Sequence, residues 1–302
     1  MIFHISKSTD PYKNMVLEDY LLREVDSSHE GNDSSSGSSI SSILFWRNID
    51  SVVIGRFQNP WMECDLAAME RENILLVRRQ SGGGTVYHDL GNLNFSIICS
   101  KNSFNKSSNL EIIKSALNKN FKLDIEISPR DDLLLQGKKI SGSAFRFLKN
   151  KVLHHGTLLI DSDLNKLRKA LNSSLASKIV ESKSVASTPS KVVNICECLC
   201  LQNDCNNSVD VITDIMNAIK TQYINRSEII WSEQSMLNNI PEFNSKVGKF
   251  KSHDWIIAET PFFKYEHRYT DNKSCRLDVL KGKIKKMEFI SGDLKQVYEF
   301  LA

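Results

Sequence analysis

Apolar residues recur along this chain with two periods, and the switch between them marks the elements. Residues 2–5, IFHI, predict a short strand. NMVLEDYLLREV then places Val16, Leu17, Tyr20 and Leu21 at helical spacing and predicts an amphipathic helix. ILFWR and SVVIG, parted only by Asn48, Ile49 and Asp50, predict a β-hairpin. ILLVR, LNFSIIC, LDIEI, DLLLQ and VLHHGTLLI are further strand candidates. Among them LEIIKSALNKNF predicts a helix, opened by a capping box of Ser108 and Glu111. Leu164, Leu167 and Leu171 stripe a second helix; Ile212, Ile215, Met216, Ile219 and Tyr223 stripe a third. Strands and helices mixed in this way predict an α/β or α+β main domain over residues 1–251. After Trp255 the pattern turns to strands, FKYEHRYT and RLDVLKGKIKKMEFI with a Lys281-Gly282 turn, and then one short helix. Residues 252–302 therefore read as a small accessory module.

Composition changes this picture at one place. Residues 27–42 hold nine serines among sixteen positions and predict a disordered surface insert, since such a segment buries no core. Otherwise 302 residues at 41% apolar are ordinary for a globular protein, and no apolar run approaches a membrane span. A net charge of +3 with interspersed signs argues against a dedicated nucleic-acid binder. Seven cysteines without framework spacing favour a reducing compartment. MIFHISKSTDPYKNM lacks the apolar stretch of a secretory signal and turns acidic too soon for an obvious transit peptide.

Candidate chemistry begins with RRQSGGGTVYHDLGN, residues 78–92. A strand feeds straight into three glycines, whose backbone can approach a ligand closely and aim successive N–H groups at an anion. Arg78 and Arg79 occupy adjacent strand positions, so only one can face the site. The spacing fits neither the dinucleotide-binding glycine motif nor the phosphate-binding loop of nucleotide hydrolases. In GKKISGSAFR, residues 137–146, Lys138 and Lys139 alternate faces, so one can enter a pocket while the other stays in water. The adjacent histidines of HHGTLLI point to opposite faces and cannot share one metal. CECLCLQNDC lacks the paired spacing of zinc modules, and its cysteines are expected to be small buried apolar residues.

These stretches, in this order, resemble the lipoate–protein ligase A and lipoyltransferase family. LFWRNIDSVVIGRFQNPWMECD is similar to the family's upstream segment, and LHHGTLLIDSDLNKL to the segment after its lysine. The resemblance implies the lipoate/biotin protein ligase fold, with a large mixed sheet and a tunnel for lipoyl-AMP. It implies that Lys139 is catalytic. Arg79 and the backbone of Ser81, Gly82, Gly83 and Gly84 would meet the carboxyl–phosphate end. His88 and Asn92 would shape the pocket, Gly156 and Thr157 would lie near the acyl-adenylate, and Asp132 near the nucleotide. Arg146 joins this set as a ligase-like feature. Asp131 departs from the family, which has Asn or an apolar residue there.

The resemblance also implies ATP or lipoyl-AMP and lipoate as ligands, with Mg2+ as the ATP counter-ion and no protein-bound metal. Implied partners are lipoyl domains of 2-oxoacid dehydrogenase complexes and the glycine-cleavage H protein; a monomer with no nucleic-acid or membrane partner is expected. GKKISGSAFR resembles the ATP-dependent ligases, whereas VASTPSKVVN resembles the animal transferases, and the accessory module is shorter than in typical two-domain members. An octanoyltransferase or biotin ligase of the same superfamily, or a non-catalytic lipoyl-domain binder, stand as alternatives. The serine-rich stretch has a eukaryotic flavour, so mitochondrial residence is expected, with the cytoplasm as the alternative.

Overall fold

In the computed structural model, which describes residues 2–24, 40–200, 208–222, 237, 240–270 and 273–291, the chain runs β1 (Ile2–Ile5), α1 (Pro11–Glu24), β2 (Ile40–Trp46), β3 (Ser51–Ile54), α2 (Pro60–Glu63), α3 (Leu66–Arg71), β4 (Leu75–Arg78), β5 (Val86–His88), β6 (Asn92–Ser100), α4 (Lys106–Phe121), β7 (Ile125–Ile127), β8 (Leu133–Leu135), β9 (Lys138–Ser141), β10 (Ser143–Phe147), β11 (Lys151–Leu159), α5 (Leu164–Ala170), β12 (Ile179–Ser182), α6 (Ile195–Cys200), α7 (Ser208–Thr221), α8 (Phe243–Lys251), α9 (His253–Ile256), β13 (Phe263–Thr270), β14 (Lys273–Leu280) and β15 (Lys283–Ser291). The mixture is the α/β class that the pattern predicts.

A five-stranded sheet in the order β1-β2-β6-β11-β10 forms the floor. Its first pair is parallel and the others are antiparallel. Strands β2 and β6 are buried on both faces, and alternation divides their side chains between two cores. Ile43, Phe45, Phe95 and Ile97 join the core beneath α4 and α7, while Leu44, Trp46 and Ile98 join the core beneath α1 and α8. A smaller sheet, β4-β3-β5, lies over the second core and carries the glycine loop at the end of β4. The turn of β7-β8-β9 delivers the double lysine from another side. The C-terminal strands β13, β14 and β15 are joined by β12, so their sheet begins with a strand from inside residues 1–251.

Several local expectations are corrected. β2 and β3 do not form a hairpin. Both edges of β2 are taken, by β1 and β6, and β3 pairs with β4 in parallel and with β5. Asn48 in the connection is fully buried and bonded to Asn14 and His88, so this short link crosses between sheets. Helix α4 starts earlier than the capping box implies: Asn105 is the cap, and its side chain accepts the Ser108 N–H at 2.9 Å. Residues 40–42 of the serine-rich stretch are strand rather than insert, with Ser42 buried against Ile98 in register; residues 27–39 lie outside the described residues. So do Tyr223 and the expected C-terminal helix. Among the cysteines, Cys198 is buried as expected, but Cys200 is exposed and disulfide-bonded.

Candidate active site

Strand alternation sends the two arginines apart. Arg78 turns away from the glycines and is fully buried, whereas Arg79 lies inside the loop of residues 79–85. The Arg79 guanidinium donates to the carbonyls of Val53 at 2.9 Å, Gly82 at 2.7 Å and Gly84 at 2.6 Å, and to Ser81 Oγ at 3.0 Å. Burial lowers its pKa to about 10, opposed by Glu18, so it stays charged at neutral pH. A trans peptide points its N–H opposite to its C=O. Drawing in the carbonyls of Gly82 and Gly84 therefore turns the N–H groups of Gly83 and Thr85 outward. That of Thr85 reaches Ser187 Oγ at 2.8 Å. Gly83 has φ 85, a conformation L side chains rarely adopt. The three glycines thus let a buried cation gather carbonyls on one side and present N–H groups on the other.

Behind Arg79 runs a buried polar chain. His155 stands between Ser81 Oγ, 2.7 Å from its Nε2, and Glu18 Oε1, 2.8 Å from its Nδ1. Glu18 also accepts from Ser96 Oγ at 2.6 Å, which in turn accepts from Trp46 Nε1 at 2.9 Å. Burial alone would raise the Glu18 carboxyl, but His155, Ser96 and Arg146 hold it below its ordinary range. His154 faces the opposite side, toward Asn109 and Ser143.

Lys139 enters from β9. Its Nζ lies 2.8 Å from Asp132 Oδ1, while Lys138 on the other face is exposed. A Cβ on Gly142 would sit 2.9 Å from Lys139 Nζ, so the glycine makes room for the ammonium. Two cavities meet here. One, of about 280 Å³, is lined by Arg79, Gly83, Gly84, His88, Asp132, Lys139, Gly156 and Thr157, with Met15, Trp46, Val53 and Val86 as apolar walls. The other, of about 320 Å³, is lined by Leu159, Leu167, Arg168, Leu171 and Pro189. Thr85, Val86, Lys139, Gly142, Thr157, Ser187 and Thr188 line both.

Four expected residues do not line the first cavity. Ser81 and Gly82 form the inner side of the loop, as partners of Arg79. Asn92 is buried behind it and donates from Nδ2 to Oδ1 of Asn94, which does line it. Arg146 is a correction: two residues beyond Ala144 on the same strand, or about 7 Å, it pairs instead with Asp19 at 2.7 Å. The extra acid, Asp131, is turned outward to Lys106 at 2.7 Å. Sequence reasoning missed Glu18, Trp46, Asn94 and Arg130. Glu18 leaves a signal, an acid within the apolar stripe of α1. For Trp46 and Asn94, alternation along buried strands gives none.

A cavity with apolar walls that is bordered by a lysine, an aspartate and a glycine loop fits an enzyme that handles an acyl group at its carboxyl end. The chain belongs to the lipoyl protein ligase A/B catalytic domain family, which residues 10–219 match. It is 36% identical over 280 residues to a lipoate-protein ligase A of Blochmanniella floridana, a match covering 89% of this chain and 74% of that one. The structure of Plasmodium falciparum LipL1 in complex with lipoate superposes with a TM-score of 0.69 at 27% identity, covering 96% of this chain and 84% of that one. A lipoate-protein ligase A bound with ATP shares the fold, with a TM-score of 0.57 at 22% identity over 84% of this chain and 98% of that one.

Proposed function

We propose that the protein attaches a lipoyl group to a lysine of an acceptor lipoyl domain through a lipoyl-AMP intermediate. The observation that carries this reading is the place of Lys139, at the junction of two cavities. We assign the acyl tail to the first, against Met15, Trp46 and Val53, which the second lacks, and the nucleotide to the second, so the reacting carbonyl and α-phosphate fall beside Lys139.

In the first half-reaction a lipoate carboxylate oxygen attacks the α-phosphorus of ATP and pyrophosphate leaves. In the second, the acceptor amine attacks the acyl carbon, AMP leaves with the bonding pair, and the amine loses a proton as the amide forms. Both steps move negative charge onto oxygens near Lys139, and losing one such interaction raises a barrier by about 3–4 kcal/mol. Asp132 holds the ammonium in place, and the outward N–H of Gly83 offers a second donor. Ser81 and Gly82 act through Arg79, and Asn92 through Asn94. Gly156 and Thr157 form the wall where the cavities meet. Asp132 stands beside Lys139 where the cavities meet and Glu63 lines the second, and one or two carboxylates suit Mg2+ held mostly by phosphate and water. That ion would screen the triphosphate from the incoming carboxylate. The acceptors, on the family resemblance, are lipoyl domains of 2-oxoacid dehydrogenase complexes and the glycine-cleavage H protein.

Intact mass of an apo lipoyl domain tests the reading, with lipoate plus ATP in one reaction and lipoyl-AMP in another. The expected product is heavier by one lipoyl group. Modification in both reactions identifies a ligase, and in the second alone a transferase. Lys139→Ala is expected to slow modification by about a hundredfold or more, and Lys138→Ala to have little effect. Equal rates for the two variants, or an unmodified domain in both reactions, would sink the assignment.

A further inference from the structure

Five lining residues of the first cavity are themselves exposed, Gly83, Arg130, Val185, Ala186 and Thr188, and they mark its mouth. Phe57 stands beside them: its carbonyl accepts the Val185 N–H at 3.1 Å. Its side chain is 57% exposed, the highest of any large apolar residue described. A lone exposed apolar side chain is ordinary, but this one has the exposed Val185 next to it and a backbone held on both sides. Arg78 donates to the carbonyls of Arg56 at 3.0 Å and Gln58 at 2.8 Å. Gln58 is fully buried, with Oε1 accepting the Gly55 N–H at 2.8 Å and Nε2 donating to Ser187 Oγ at 2.9 Å. The phenyl ring is thus presented to solvent on a fixed loop, so docking against it costs little ordering. Arg130 adds a charge to the rim. Its guanidinium pairs with no acid among the described residues; Asp131 is turned to Lys106 and Asp132 to Lys139.

We propose that Phe57 anchors a docking surface whose occupant is the acceptor domain, a partner with an apolar hollow for Phe57 and Val185 and a carboxylate for Arg130. This rests on the reading of the first cavity as the place of acyl transfer. A lysine side chain reaches only about 6 Å beyond its Cα. An acceptor lysine that meets an acyl carbon beside Lys139 therefore brings its own backbone onto the mouth, and the acceptor covers what borders it. Phe57 lines neither cavity, so lipoyl-AMP has no use for it and a protein partner does. An aromatic ring on a fixed backbone within such a contact carries a large share of its affinity.

The test is transfer from lipoyl-AMP to an apo lipoyl domain, followed by intact mass over a range of acceptor concentrations, with calorimetry of lipoyl-AMP alongside. Phe57→Ser should raise the acceptor's KM by about tenfold or more, with kcat and lipoyl-AMP affinity within about twofold of wild type. Phe57→Leu should recover most of the loss. In the wild type KM should rise with salt, and Arg130→Glu should abolish that rise. An unchanged KM in Phe57→Ser would overturn the proposal. So would a loss of lipoyl-AMP affinity that matches the loss of transfer, which would make the loop a support of the cavity. A wild-type KM indifferent to salt would overturn the acidic partner. Sedimentation showing a wild-type dimer that Phe57→Ser dissolves would assign the ring to a second copy of the chain and overturn the proposal too. An apo lipoyl domain left unmodified by the wild type would sink the acyl-transfer reading itself, and this proposal with it.

Discussion

Three histidines are buried as neutral rings, which makes stability depend on pH. Burial lowers His4 from 6.5 to about 4, and His88 and His154 to about 3. In the unfolded chain each ring titrates near 6.5, so below that pH the unfolded state binds protons that the folded state does not. Stability is therefore full above pH 6.5 and falls as pH drops toward 4, by about 1.4 kcal/mol per pH unit for each ring. Glu18, held low, loses its contribution only at more acid pH. Urea melts from pH 8 to pH 5 should show this slope. His4→Leu should cut it by about a third without loss at pH 8, because neither nitrogen of His4 has a hydrogen-bond partner among the described residues. A flat profile would show that the rings protonate in place. Nothing in IFHI marks His4 as buried, since burial there depends on what packs over the sheet. The opposite directions of Arg78 and Arg79, and of Lys138 and Lys139, were legible because alternation is a property of the strand alone. Arg79's work as an internal strut was not, since its carbonyl partners become neighbours only when the loop closes.

At the scale of elements, the loop between β4 and β5 separates glycines by need. An ideal Cβ on Gly83 would lie 3.0 Å from Arg79 Nη2 and 3.4 Å from the Ala144 Cβ, on a backbone with φ 85. One on Gly82 meets nothing within 4 Å. Gly83→Val is therefore expected to weaken lipoyl-AMP binding by well over tenfold, whereas Gly82→Ala should stay within about threefold. Calorimetry decides, and equal affinities would make the loop an ordinary turn. The sequence pattern located β2, β3, β4, β6 and α1 because each carries its own periodicity. It misjudged the pairing of β2 with β3, since proximity along the chain favours a hairpin and only the filled edges of β2 forbid it. It misjudged the cap of α4 for a similar reason: Asn105 and Ser108 are both good caps by type, and geometry chose the first.

At the scale of the molecule, the glycine loop and the C-terminal strands are mechanically joined, and Arg78 is the joint. Its guanidinium donates to the carbonyls of Gly55 at 3.2 Å, Arg56 at 3.0 Å and Gln58 at 2.8 Å. It also donates to Ile256 O at 2.9 Å and Thr260 Oγ1 at 2.9 Å. Trp255 returns a bond from Nε1 to the Arg78 carbonyl at 2.7 Å. Burial, then Arg56, lowers the Arg78 pKa to about 10, so the cation persists and is matched by neutral carbonyls. Residues 256–260 lead straight into β13, and β13 pairs with β12, whose chain continues into residues 185–188 at the wall of the first cavity. A reading of residues 252–302 as a module of their own could not show this, because the strand IVES is too short and too polar to announce itself. Arg78→Met keeps the volume but strands these carbonyls without a donor. The expected cost is about 3–5 kcal/mol of stability. Amide exchange should quicken first in residues 253–260 and in the glycine loop, while β6 keeps its protection. Exchange rising evenly across the chain would instead make Arg78 a core residue like any other, with no special tie between the cavity wall and the C-terminal sheet.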